Sequence, residues 1–145
     1  MKLEEIAEEW SADCASFNPL DLFEEQHKAI RQLAKYVKYK SIESAALRAK
    51  RTVYAKLRAD KEDFLQNPTV EVMKEKGWQV PPKGRLLKAD IANYLAKDKE
   101  IVQAELAIGV QEEKVELLKE ILKQLNNRSY SIRNMLDDRK YMSGG

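Results

Sequence analysis

ADIANYLAKDKEIVQAELAIGVQEEKVELLKEILKQLN, residues 89–126, holds no proline and a single glycine, and its apolar side chains recur at alternating spacings of three and four. Tyr94, Lys97, Ile101, Ala104, Ile108, Gln111, Val115, Leu118, Leu122 and Leu125 form one seam, the pattern of an α-helix that meets another helix along its length. Lys97 and Gln111 are polar positions within it, and Gly109 costs about 1 kcal/mol of helix propensity relative to Ala. Beyond Asn126-Asn127 the frame continues through Ser129, Ile132 and Leu136, so a last helix is expected to reach about Tyr141. Ser143-Gly144-Gly145 reads as a frayed end. The seam serves either packing inside its own chain or association with other copies. Ile101, Ile108, Val115, Leu118, Leu122, Leu125, Ile132 and Leu136 are the candidate oligomerisation residues.

Upstream, residues 67–87 carry Pro68, Gly77, Pro81, Pro82 and Gly84 with no clear period, which predicts a long connection. Trp78 and Val80 are expected to tuck its middle against a helix. Before it, from about Leu22 to Gln66, nothing stops a long helix, and Ser41 and Ser44 are its weakest point. Phe17-Asn18-Pro19-Leu20-Asp21 separates that helix from a short one in which Leu3, Ile6, Ala7 and Trp10 share a face. Asn18 or Asp21 is placed to cap the second helix. Charged residues make up 34% of the 145, with five Gly and four Pro, a composition of long helices and not of sheets. The expected fold is all-α, one helical domain over 1–145, with an acidic helix and a basic helix in 1–66, a loop at 67–87 and assembly helices at 88–141. Two Trp, six Tyr and three Phe promise no thick core, so stripes on such polar helices are expected to be buried partly against other copies.

Several classes are excluded. No apolar run approaches ~20 residues and the start is acidic, which argues against a membrane span or a signal peptide and for an intracellular protein. One cysteine, Cys14, and one histidine, His27, cannot assemble a disulfide or the usual zinc sites. The glycines show no phosphate-cradling spacing, and no nucleophile stands with a base. Adjacent carboxylates such as Asp137-Asp138 point to different sides of a helix. The chain does not read as an enzyme, and no cofactor or metal is expected.

The net charge of +2 hides a segregation. Residues 1–25 sum to −7, whereas residues 28–61 hold eleven Lys and Arg against Glu43 and Asp60, a net +9. Such a block favours a polyanion, because each cation that meets a phosphate releases condensed counterions; a solvated helix surface is the plainer alternative. Lys50, Tyr54, Arg58 and Lys61 fall at i, i+4, i+8 and i+11, so three cations and an aromatic share a face. Arg51 and Lys56 widen it. Unpaired bases stack on aromatics while flanking cations follow the phosphates, so these six are the candidate single-stranded DNA site. Ile42, Ala46, Ala49, Val53, Leu57 and Phe64 are expected to pack on the opposite side. Tyr36 and Tyr39, among Lys35, Lys38 and Lys40, read instead as packing residues.

The order of parts resembles the UvsY recombination mediator family of T-even-like bacteriophages. The likeness is carried by Met1-Lys2-Leu3-Glu4-Glu5 with Trp10 and Asp13, by Lys88 to Leu95 with Asp98-Lys99, and most closely by Leu118 to Leu125, Arg128-Ser129-Tyr130-Ser131-Ile132-Arg133, Arg139 and Tyr141. The resemblance implies a virus-encoded, non-catalytic protein of the infected host's cytoplasm. It would bind single-stranded DNA as a closed homo-oligomer, a heptamer. Its partners would be the phage recombinase, whose presynaptic filament it stabilises, and the phage single-strand-binding protein that it helps displace. Lys56, Arg58 and Lys61 stand nearest the family's DNA motif. Where family members follow that motif with Tyr-Tyr-Ser/Thr-Gly, this chain has Asp63-Phe64-Leu65-Gln66-Asn67, so the register of single cations is not fixed by it. A coiled-coil scaffold and an architectural protein on duplex DNA are the alternatives.

Overall fold

Without proline or glycine between Leu22 and Gln66, the chain forms a 45-residue helix there, α2. Asp21 starts it: Oδ1 accepts the Glu24 amide at 3.1 Å, satisfying one of the amides that a helix start leaves unpaired. In this computed structural model, which describes residues 1–144, the other helices are α1 (Leu3–Ala15), α3 (Val70–Lys76), α4 (Lys88–Ala96) and α5 (Lys99–Met142). Among the described residues there is no strand, and no helix is long and apolar enough to cross a membrane. Gly145, the last residue of the expected frayed end, lies outside them. The chain gathers into two compact units, one made of Met1–Ala46 with the chain from Val110 onward, the other of Leu47–Gly109.

In the first unit α1 and the ends of α2 and α5 share a core of Ile6, Tyr36, Leu118, Ile121 and Leu125, extended by Leu22, Ala29 and Ile132. Here the structure corrects the expected role of the seam. Ile101, Val115, Leu118, Leu125 and Ile132 are buried inside the chain, which leaves them no surface for a second copy, while Ile108, Leu122 and Leu136 are half-buried. The physical reason is the helices that cover them: Ile6 of α1 and Tyr36 of α2 close over Leu118, Ile121 and Leu125, and Leu22 and Ala29 of α2 close over Ile132. Ile132→Val is therefore expected to lower unfolding stability by about 0.5–1.5 kcal/mol. The loss should be the same at every protein concentration in urea titrations, which a subunit-interface position would not give. Gln111, polar within the seam, is explained as well: its Nε2 donates to the Glu43 carbonyl at 2.8 Å and to Oε2 at 2.6 Å, both groups being buried.

The acidic start is spent on the chain's own α2. Lys35 Nζ lies 2.9 Å from Glu9 and 2.5 Å from Asp13, and the Tyr36 and Tyr39 hydroxyls donate to Asp13 and Glu9 at 2.8 and 3.0 Å. Tyr36 is fully buried and edge-on to Trp10 and Tyr39, so this pair packs as expected. Burial pushes the Asp13 carboxyl up, but the Lys35 and Tyr36 hydrogen bonds and the lysine charges outweigh it and leave it below its ordinary value. The end of α1 has no basic residue in its last turn. Its carbonyls are met from elsewhere: Arg128 Nη2 donates to the Cys14 carbonyl at 3.0 Å, and Lys28 Nζ donates to the Ser16 carbonyl. The Arg128 guanidinium also lies over the Trp10 and Phe17 rings.

The second unit has a core of Phe64, Leu65, Ile91, Leu95 and Ile101. The expected loop 67–87 is partly helical: Thr69 Oγ1 accepts the Val72 amide, and Gly77, at φ +70°, takes the left-handed conformation that closes α3. Trp78 packs on Phe64 as expected, while Val80 remains exposed. The expected single helix from Ala89 to Asn126 is broken at Lys97-Asp98, since Asp98 starts α5 by accepting the Ile101 amide at 3.1 Å. From there α5 runs on through Asn126-Asn127 without interruption.

Candidate nucleic-acid interface

Leu47–Gly109 contains thirteen Lys and Arg against nine Asp and Glu, a net +4, and six of its cations lie between positions 48 and 61 of α2. A helix turns 100° per residue, so Leu47, Tyr54, Leu57, Arg58, Lys61, Phe64 and Leu65 share one broad face. Leu47, Phe64 and Leu65 are buried, and that face is the interior one. The stripe expected to meet DNA thus runs from solvent at Lys50 into the protein at Lys61.

Lys61 is the clearest correction. It is 6% exposed, with Nζ at 2.8 and 2.7 Å from the two Asp98 oxygens and 3.4 Å from Glu100, and 4.9 Å from the Trp78 ring centroid. A cation so enclosed cannot reach a phosphate. Burial pushes the Asp98 carboxyl up, yet the Lys61 hydrogen bonds, the Ile101 amide and the lysine charge hold it below the ordinary range. With Asp13 it makes the fold acid-sensitive. Unfolded carboxyls titrate near 3.9, so the stabilisation from these two pairs is complete above about pH 5 and is lost as pH falls through their lower folded values. Urea midpoints measured at pH 6, 4 and 3 should fall steepest in the last interval.

Tyr54 is half-buried and engaged on both sides of its hydroxyl, which donates to Glu105 at 2.7 Å and accepts from Arg58 Nη1 at 3.2 Å. The bond that Arg58 donates to Tyr54 is the leading reason why the guanidinium pKa is raised further. Its ring packs against the unit's core and is not presented as a platform for bases. Arg58 is 37% exposed in its side chain and also pairs with Glu62 at 3.2 Å. Lys50, Arg51 and Lys56 are exposed, as is Arg48, which the spacing argument had passed over. Arg48, Lys50 and Lys56 make no ion pair among the described residues. The charge count alone contained the signal for Arg48; it was set aside because it falls off the Lys50 stripe.

The face expected to pack divides: Phe64 is buried in the core, Leu57 packs against it and Ala46 is half-buried, but the rest is turned outward. Ile42 is 54% and Val53 68% exposed, and Ala49 is exposed too. On α5, Val102, Leu106 and Val110, at i, i+4 and i+8, are likewise exposed. No group of three or more metal-binding side chains occurs among the described residues.

A family model described as recombination, repair and ssDNA binding protein UvsY matches residues 9–145. The chain belongs to the UvsY family. Two crystal structures of the bacteriophage T4 recombination mediator protein UvsY are similar to it in fold. The lattice type II form gives a TM-score of 0.80 at 15% identity over 99% of this chain and 98% of that one. The lattice type IV form gives 0.76 at 15% identity over 98% and 99%. No curated protein sequence matches the chain significantly. For a UvsY-family chain, the resemblance picked out Lys56, Arg58 and Lys61. The structure keeps the first exposed and the second partly so, and encloses the third.

Proposed function

We propose that this chain is a non-catalytic recombination mediator that binds single-stranded DNA. It would work as a closed homo-oligomer, of seven copies as the family resemblance implies. It would help the phage recombinase build and keep its filament against the phage single-strand-binding protein, in the host cytoplasm. The observation that carries the reading is the row of Arg48, Lys50, Arg51, Lys56 and Arg58 along three turns of one helix, in a basic unit of a chain whose family is described as binding ssDNA. Each such cation placed on a phosphate of a single strand contributes about −0.7 to the slope of log affinity against log salt, or about −3.5 for a subunit that engages all five.

Assembly multiplies these contacts by holding neighbouring subunits at high effective concentration along one strand. With most of the seam buried within the chain, surfaces open to a second copy include exposed apolar residues such as Phe23, Ile30, Ile42 and Val53 on α2 and Val102, Leu106 and Val110 on α5. Native mass measurement with and without an oligonucleotide reports the copy number. Fluorescence anisotropy of a labelled oligonucleotide across salt tests binding. Steep salt dependence with preference over duplex competitor is expected. Negligible affinity at every salt would leave a helical scaffold, and equal or better duplex binding would leave an architectural protein.

A further inference from the structure

Beside the cationic row, the second unit has a pocket of about 470 Å³ formed by the end of α2, the segment after α3, and the α4–α5 junction. Phe64, Trp78 and Tyr94 give it aromatic walls, and its charged lining is Lys61, Asp98, Lys99 and Glu100. We propose that this pocket captures one unpaired base of a bound strand, stacked against Trp78 and Tyr94. The proposal rests on the single-strand reading above.

Three observations carry it. The Trp78 ring is already fixed, with Nε1 donating to Glu100 at 3.0 Å, Lys61 Nζ 4.9 Å from its centroid and Phe64 5.6 Å away. A platform held in place before binding loses little freedom when a base arrives. The pocket is also balanced in charge, because its two lysines, Lys61 and Lys99, stand against two carboxylates, Asp98 and Glu100. A phosphate would meet two carboxylates there, whereas a flat uncharged ring meets aromatic faces. Finally the lip is open: Tyr94 is 37% exposed and the Glu100 side chain 52%. A carboxylate at the lip accepts hydrogen bonds from exocyclic amines, which favours adenine or cytosine over thymine. Arg58 lies only three residues, about 4.5 Å of helix rise, before Lys61, so a phosphate on the row and a base in the pocket fit one stretch of strand. This gives the site the aromatic contact that Tyr54, held in its own packing, does not supply.

The 145-residue chain with Trp10→Phe keeps Trp78 as its one tryptophan. Its emission is followed while oligo(dA), oligo(dT) and an abasic strand of equal length are added. Oligo(dA) is expected to quench Trp78 at least about twofold and the abasic strand to leave it unchanged, with oligo(dT) between them. Tyr94→Ala, at an exposed position, should weaken oligo(dA) about tenfold and leave the abasic strand unaffected. Unchanged emission, equal quenching by dA and abasic strands, or equal affinity for both overturns the pocket. If these occur while salt-dependent binding persists, only the pocket falls. If no strand binds at any salt, the single-strand reading falls with it.

Discussion

Lys56→Ala combined with Arg58→Ala is expected to weaken single-stranded DNA binding about tenfold for each subunit engaged, and about a hundredfold where two subunits hold one strand. At physiological salt a single phosphate contact of slope about −0.7 amounts to roughly a fourfold gain, so two contacts give somewhat more than tenfold. Neighbouring subunits on one strand multiply the loss. The salt slope should flatten by about 1.4 per subunit. Lys56 is exposed, and Arg58 gives up only surface bonds to Glu62 and Tyr54, so the fold should lose under about 1 kcal/mol and the copy number should not change. Anisotropy at several salt concentrations, with a urea melt of the same preparation, checks both halves. Unaltered binding by a folded double variant would place the DNA site elsewhere.

Asp98→Asn should have the largest effect on stability. The amide can still accept the Ile101 N–H and start α5, but Lys61 would be left enclosed without its main counter-charge. Leaving one member of a buried pair alone costs about 3–5 kcal/mol, a large share of a typical domain's stability. Adding Lys61→Met, which fills the space with an apolar chain, should recover most of it. Urea midpoints for the two variants decide this. A single variant within about 1 kcal/mol of the parent would mean that water reaches Lys61 readily.

The sequence made the long elements legible and their partners illegible. α2 is bounded as read, from Leu22 to Gln66, because breakers flank it and none lies inside. α3 escaped notice since seven residues show little period; its evidence was a pair of caps, Thr69 and Gly77. The α4–α5 break was hidden by treating Asp98 as one more helical residue when its carboxylate caps the next helix. Lys61 fell on a cationic face by spacing, but its counter-charge stands 37 residues further along the chain, beyond what local periodicity can reveal. The same limit left Ile42 and Val53 of α2 misread as packing residues: periodicity shows that a stripe exists, not what covers it. Leu118 and Val53 both lie on apolar stripes, and one is wholly buried while the other is 68% exposed.

The carbonyl end of α1 has consequences in time. Thirteen residues are too few to hold a helix in water, and this one takes its closing cations, Lys28 and Arg128, from two other helices. It is not expected to persist before those helices have met, so its amides should exchange with solvent sooner than those of the buried stretch of α5. Each departure of α1 takes Ile6 off Leu118, Ile121 and Leu125, so a chain without α1 in place would carry a barer apolar ridge and be the more prone to aggregate.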